Sequence, residues 1–161
     1  MFYSSTDGQY IQPGNQFTID GIEYPSNWLN LSTPEEKAAI GLEDVVATNS
    51  PANDQYYWVS IELDKATLTY VNIPKELAGV QTTAVSQINS TAYSLLFPSD
   101  WMVVKAFETS TAIPATWNTW RATIRTQAQN AITAIDAATN VDEVATAAQV
   151  QWTSNPDAQI A

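Results

Sequence analysis

Cysteine and histidine are both missing from this 161-residue sequence, and the two absences together remove most of the usual reactive groups. Without them there is no disulfide, no thiolate or imidazole nucleophile, no histidine general base and no ordinary zinc site. Basic residues are scarce: six Lys and Arg stand against 17 Asp and Glu, a net charge of -11 and a pI near 4.1. Such a field repels phosphate and anionic lipid, so neither nucleic acid nor a membrane surface is an expected partner. No apolar run approaches the 18 or so residues of a membrane span, and Met1-Phe2-Tyr3-Ser4-Ser5-Thr6-Asp7-Gly8 has neither the basic nor the apolar segment of a signal peptide. The expectation is a soluble protein of a reducing cytosol, or of a particle assembled there.

What remains for catalysis is carboxylates, hydroxyls and four lysines. Glu35/Glu36, Glu43/Asp44 and Asp142/Glu143 are adjacent pairs, but neighbours in sequence diverge on a helix and would not share a substrate. Each also has a simpler place: the first two pairs sit in a helix's first turn or beside its end, and Asp142/Glu143 open a helix, where the dipole favours them. No loop spaces oxygen ligands for a divalent ion. Neither an enzyme nor a cofactor or metal is expected.

Composition changes along the chain. Residues 1–75 hold ten acids against three bases with most of the Pro, Gly and Tyr; residues 76–161 hold seven acids against three bases, are rich in Ala and Thr and carry four of the six Trp. This predicts an α+β protein: a small β-rich N-terminal lobe over 1–73 with a short capped helix, a helical hairpin region over 74–149, and a C-terminal tail over 150–161. The tail can be an ordered peptide laid on a partner or a loose end.

In the first lobe, Phe17, Ile19, Ile22 and Tyr24 alternate on either side of Asp20-Gly21, the signature of a tight hairpin with those four on one side. Thr33-Pro34-Glu35-Glu36 starts a helix with a capping box and a proline at its first position. Gly41 stops it in the left-handed conformation, and Leu42 can fold back on the last turn. The runs 56–63 and 66–71 around Asp64-Lys65 predict a second hairpin, with Leu68 and Tyr70 on one face and Thr67, Thr69 and Val71 on the other. Tyr56-Tyr57-Trp58 puts aromatic rings on both faces. The sheet is then either half-covered by the short helix or an aromatic partner-binding face, for which Tyr57 and Trp58 are the candidates.

The second half reads as helices. Leu77, Val80, Ala84, Ile88, Thr91 or Ala92, and Leu95 form one narrow apolar stripe. Phe97-Pro98 ends it, and Ser99 can cap a next helix over 100–108. After Ile113-Pro114, residues 115–138 read as a second long helix with Trp117, Trp120, Ile124, Ala128 or Ala131, and Ile135 on one side, and a short helix follows over 142–148. Alanine seams bury little area at about 25 cal/mol per Å², so the hairpin needs its Trp-bearing ends pinned on another surface. Trp and Arg dominate such contacts. Trp117, Trp120, Arg121 and Arg125 are therefore candidate partner-binding residues, the Arg pair being either solvated or anchoring an acidic strip. Trp101 and Trp117 are assigned to the core, and Trp120 with Arg121 and Arg125 to the partner side, because two arginines are costly inside a small hairpin.

The segment Leu95-Leu96 through Asp100-Trp101, then Pro114, then Trp120-Arg121, resembles phage tail assembly chaperones, whose core is a Leu-Leu, Asp-Trp, Pro, aromatic-Arg series; the likeness spans about residues 85–135. Tyr24-Pro25-Ser26-Asn27-Trp28-Leu29, with Pro34-Glu35-Glu36-Lys37 and Ile40-Gly41-Leu42, is similar to the region found beside that segment in tail-fibre chaperones. The resemblance implies a chaperone in the cytoplasm of an infected bacterium that binds the C-terminal region of a homotrimeric tail fibre, one copy per fibre chain, and promotes its folding and trimerisation. Such a helper can stay on the fibre tip. A structural component of the virion, such as an adaptor or baseplate protein, has the same composition. The thin seams and net charge predict that the free chain is a monomer or weak dimer.

Overall fold

Local turn chemistry accounts for several of the first elements of the computed structural model, which describes residues 1–159. The chain falls into two units, Met1–Ile73 and Pro74–Ala161. The first opens with β1 (Phe2–Ser4), β2 (Tyr10–Ile11), β3 (Phe17–Ile19) and β4 (Ile22–Tyr24). β3 and β4 form the expected hairpin, with Phe17 opposite Tyr24 and Ile19 opposite Ile22. Its turn holds Asp20 at φ 49 and Gly21 at φ 75, the two left-handed residues that match the strand twist. Of the four apolar residues, Phe17 and Ile19 are buried, whereas Ile22 beside the turn is exposed.

Two helices follow, α1 (Trp28–Leu31) and α2 (Pro34–Ala39). In α2 the Thr33 hydroxyl accepts from Glu36 N–H at 3.2 Å and Glu36 Oε2 accepts from Thr33 N–H at 2.7 Å, which satisfies two otherwise orphaned donors. Gly41 ends the turn at φ +74, and a Cβ there would meet Thr6 Oγ1 at 2.7 Å. Glycine is thus needed for both conformation and close approach. Its carbonyl accepts from Ser5 N–H at 2.9 Å, which leads directly into β5 (Leu42–Asp44), antiparallel to β1 with Ser4 opposite Leu42. Sheet order is β2-β1-β5. Phe2, Ile11, Phe17, Ile19, Leu29 and Leu42 form one core, with Tyr24, Trp28 and Ile40 packed against it. Phe17 and Tyr24 stack at 5.0 Å, and Trp28 sets its edge against both.

β6 (Val46–Ala47), β7 (Tyr57–Asp64) and β8 (Thr67–Pro74) make a second three-stranded sheet in the order β6-β8-β7. β6 runs parallel to β8, and side chains continue its pairing. Asn49 both donates to Tyr70 O at 2.9 Å and accepts from Tyr70 N–H at 2.8 Å, and Asn72 Oδ1 accepts from Ala52 N–H at 3.0 Å. Hence residues 48–52 close that edge of β8, and β7 is the opposite edge.

The second unit is helical: α3 (Leu77–Leu96), a 3-10 turn (Phe97–Ser99), α4 (Asp100–Thr109), α5 (Ala115–Ala137) and α6 (Val141–Ala147). Glu76 caps α3 by accepting from Ala78 and Gly79 N–H at 3.0 and 2.7 Å. α3 buries Val80, Ala84, Ile88 and Ala92 against Ile124, Ala128, Ala131 and Ile135 of α5. The pair is antiparallel: Gln81 near the start of α3 donates to Ile135 O and Ala138 O near the end of α5. Val141 and Val144 of α6 seal that end. Asn140 caps α6 by accepting from Glu143 N–H, while Glu143 Oε2 reaches back to Thr139 N–H at 2.6 Å.

The segment after α6 is ordered against α5. Gln127 Nε2 donates to Gln151 O at 2.9 Å, its Oε1 accepts from Thr153 N–H at 3.2 Å, and Trp120 Nε1 donates to Thr153 O at 2.8 Å. A short 3-10 turn, Pro156–Gln159, follows. Residues 150–155 thus form an internal strap, recognised through its backbone by side chains of one helix. No helix among the described residues is long and apolar enough to cross a membrane.

Candidate functional site

The residues proposed from sequence to bind a partner do not come together on one surface. Trp117, Trp120, Arg121 and Arg125 lie on α5, whereas Tyr57 and Trp58 lie on β7 in the other unit. Trp58 is exposed and Tyr57 half-buried.

Two of the α5 assignments are corrected by burial. Trp120 is 5% exposed and Arg121 4% exposed, so both belong to the interior. Trp120 is roofed by the strap, and its indole N–H has a carbonyl to donate to, the usual requirement for burying that ring. Arg121 is tolerated inside because its planar fork is matched. Nη1 donates to Leu96 O at 3.0 Å and to Ser99 Oγ, while Nη2 meets Asp100 Oδ1 at 2.7 Å. The Asp100 carboxylate is half exposed, so the guanidinium is held by three acceptors and not by a fully desolvated ion pair. Ser99 is corrected too. Its side chain makes no cap bond to α4; it donates to Leu96 O at 2.7 Å and accepts from Arg121. One arginine therefore ties the end of α3, the 3-10 turn and the start of α4 to α5.

Trp117 is half-buried with its ring edge-on to Trp120 at 5.4 Å. Both rings line an open groove of about 750 Å³ with Thr123, Thr153 and Pro156. Arg125 is exposed. Trp101, assigned to the core from sequence, is instead 55% exposed; Lys105 Nζ lies 5.8 Å from its ring centroid.

Helix α4 is expected from sequence over 100–108; the feature missed by sequence reasoning is its exposure. The helix buries none of its residues, yet Trp101, Met102, Val103, Val104, Ala106 and Phe107 make it apolar on every side. Val103 and Val104 are exposed, and Phe107 is 91% exposed. At the adjoining end of α3, Tyr93 and Phe97 are also exposed, their rings 5.6 Å apart. The flank toward residues 111–114 is partly covered, where Trp101, Met102, Ile113 and Pro114 line a pocket of about 150 Å³. The signal was present in the sequence: a helix apolar all round has more faces than one neighbour can cover. Large exposed apolar patches of this kind mark interaction surfaces.

Lys105 and Glu108 are the charged residues of α4 beyond Asp100, and among the described residues no three Asp or Glu converge as a metal site. Glu143, on α6, is held below the ordinary carboxyl value of 4.5 by the Thr139 backbone N–H and then by the Thr139 hydroxyl. That is a helix-capping effect.

No family model matches the sequence, and no curated protein and no solved structure matches it.

Proposed function

We propose that this protein is an assembly helper for a phage tail fibre, acting in the cytoplasm of the infected bacterium. It binds the C-terminal region of the fibre chain, one copy per chain, and promotes folding and trimerisation. The observation that supports this reading is α4: a helix with no buried residue, carrying Trp101, Val104 and Phe107 in the open and continued by Phe97 and Tyr93. Aromatic anchors on a rigid helix are the usual centre of a protein-protein contact. The Asp100-Trp101 motif that carries the resemblance to tail assembly chaperones lies at the start of that helix. Its Asp100 serves Arg121 and sets the position of α4, while its Trp101 is presented outward.

Co-expression of a fibre chain with and without this protein tests the proposal through the yield of soluble, heat-resistant trimer. The yield should fall without the helper and also with a Trp101→Ser, Phe107→Ser variant that folds normally. Equal yields in all three cases would refute the chaperone role and favour a structural virion component.

A further inference from the structure

We infer that residues 150–155 are a displaceable strap: an intrachain peptide that fills, on α5, a site for an extended peptide of a partner chain, and that opens while the helices stay folded. The strap lies outside every helix and strand, and none of its residues is buried. Four hydrogen bonds tie it to two side chains of one α5 face: Gln127 Nε2 donates to Gln151 O at 2.9 Å and to Thr153 Oγ1 at 3.1 Å, Gln127 Oε1 accepts from Thr153 N–H at 3.2 Å, and Trp120 Nε1 donates to Thr153 O at 2.8 Å. A segment with no buried side chain of its own and few hydrogen bonds opens locally, at a fraction of the free energy of global unfolding.

The chemistry of the site selects its occupant. Three of those four bonds go to main-chain atoms, at the alternate residues Gln151 and Thr153, so an extended backbone is read and most side chains are not. The remaining bond asks for a hydroxyl at the Thr153 place, which serine or threonine supplies. The seam that holds α5 to α3 is built from Ile124, Ala128, Ala131 and Ile135, and none of the strap's bonds belongs to it. The strap can therefore leave without opening the seam. Its departure uncovers the Trp120 ring, an indole N–H without its acceptor and the Gln127 amide, all of which another extended main chain satisfies in the same way. The groove of about 750 Å³ beside the strap, lined by Trp117, Thr123 and Pro156, gives such a chain a place to enter before the strap is gone.

The probe is a fluorescein-labelled peptide with the sequence of residues 149–157, added in trans to the full chain. In the unmodified chain the strap competes at an effective concentration on the order of 1 mM, so the peptide binds weakly. Thr153→Pro removes the N–H and the hydroxyl that meet Gln127 and leaves Trp120 and Gln127 in place. Fluorescence anisotropy should show this variant binding the peptide at least about tenfold more tightly than the unmodified chain, with an unchanged helical circular dichroism spectrum. Adding Gln127→Ala to it should abolish the gain. Thr153→Val, which keeps the N–H and loses only the hydroxyl, should lie between the two and carries the test if the proline variant folds poorly. In the unmodified chain the Thr153 N–H should exchange with solvent at least about a hundredfold faster than the N–H groups of Ile124 and Ile135, at a rate insensitive to low urea. The inference is overturned by equal affinity of the peptide for all these chains, by no binding to Thr153→Pro up to about 1 mM, or by a gain that survives Gln127→Ala. It is overturned as well by Thr153 exchange that tracks global unfolding, because the strap would then be a fixed part of the helical unit.

Discussion

α4 and α5 are neighbours in sequence and both carry Trp and apolar residues, yet they have opposite fates. α5 buries Trp120, Arg121, Ile124, Ala128, Ala131 and Ile135, and α4 buries nothing. The difference lies in how many surfaces each can reach. α5 has α3 along one side and the strap of residues 150–155 along another, and the turn from α3 into α4 lies against it, so even Trp120 and Arg121 find acceptors. Among the described residues α4 is held at its start by the Asp100–Arg121 pair and is partly covered by the linker on one flank. Side-chain polarity therefore does not sort these helices into core and surface; the supply of neighbours does, and the charged residue is inside while the phenylalanine is outside.

Trp120→Ala should break that contrast most severely. It removes a buried ring and strands Thr153 O, so the loss of stability is expected to be roughly 4 kcal/mol, read by the helical circular dichroism signal in urea. An unchanged midpoint would place the ring outside the core. Arg121→Ala should cost about 3 kcal/mol, because Leu96 O and Ser99 Oγ lose their donor in a closed space. Arg121→Lys should recover only part of that loss, since an ammonium cannot present the fork to three acceptors. On the other helix, Trp101→Ala or Phe107→Ala should shift folding stability by no more than about 0.5 kcal/mol and weaken binding of a fibre chain by about 2 kcal/mol. A large melting shift for Phe107→Ala, or full affinity after both changes, would erase the distinction between the two helices.

The smallest effect concerns pH at the far end of the bundle. Because Glu143 is held below its ordinary value of 4.5 in the folded chain, its contribution is present above that value and is lost as pH falls toward the depressed one. Glu143→Gln should therefore flatten stability against pH in the acid range while leaving the α4 surface unaffected. A pH profile identical to the parent chain would show that the cap does not contribute.

Signals confined to a few residues were legible in advance. The α2 capping box, the Asp20-Gly21 turn, the Gly41 stop and the periodic seams of α3 and α5 all depend on neighbours one to four positions away. Signals that depend on distant partners were not. The strap is held by Gln127 from 24 and 26 residues away, and nothing in Gln151-Trp152-Thr153 announces that contact. β5 finds β1 across some forty residues, and β6 is completed by asparagine side chains. Leu29 enters the first core through α1, a four-residue helix too short to show a period.

The sequence by itself determined the α+β character, the turn positions, and the lack of thiol and imidazole chemistry, since each is a matter of residue type or local spacing. Only the tertiary structure decided which aromatic residues are inside. Arg121 carries a charge whose burial is forbidden or allowed by the acceptors around it, and those acceptors, Leu96 O, Ser99 Oγ and Asp100 Oδ1, are brought to it by the turn from α3 into α4. The cost of burying a polar group is a property of the assembled site. For that reason α5 kept its arginine and α4 was left with an uncovered phenylalanine.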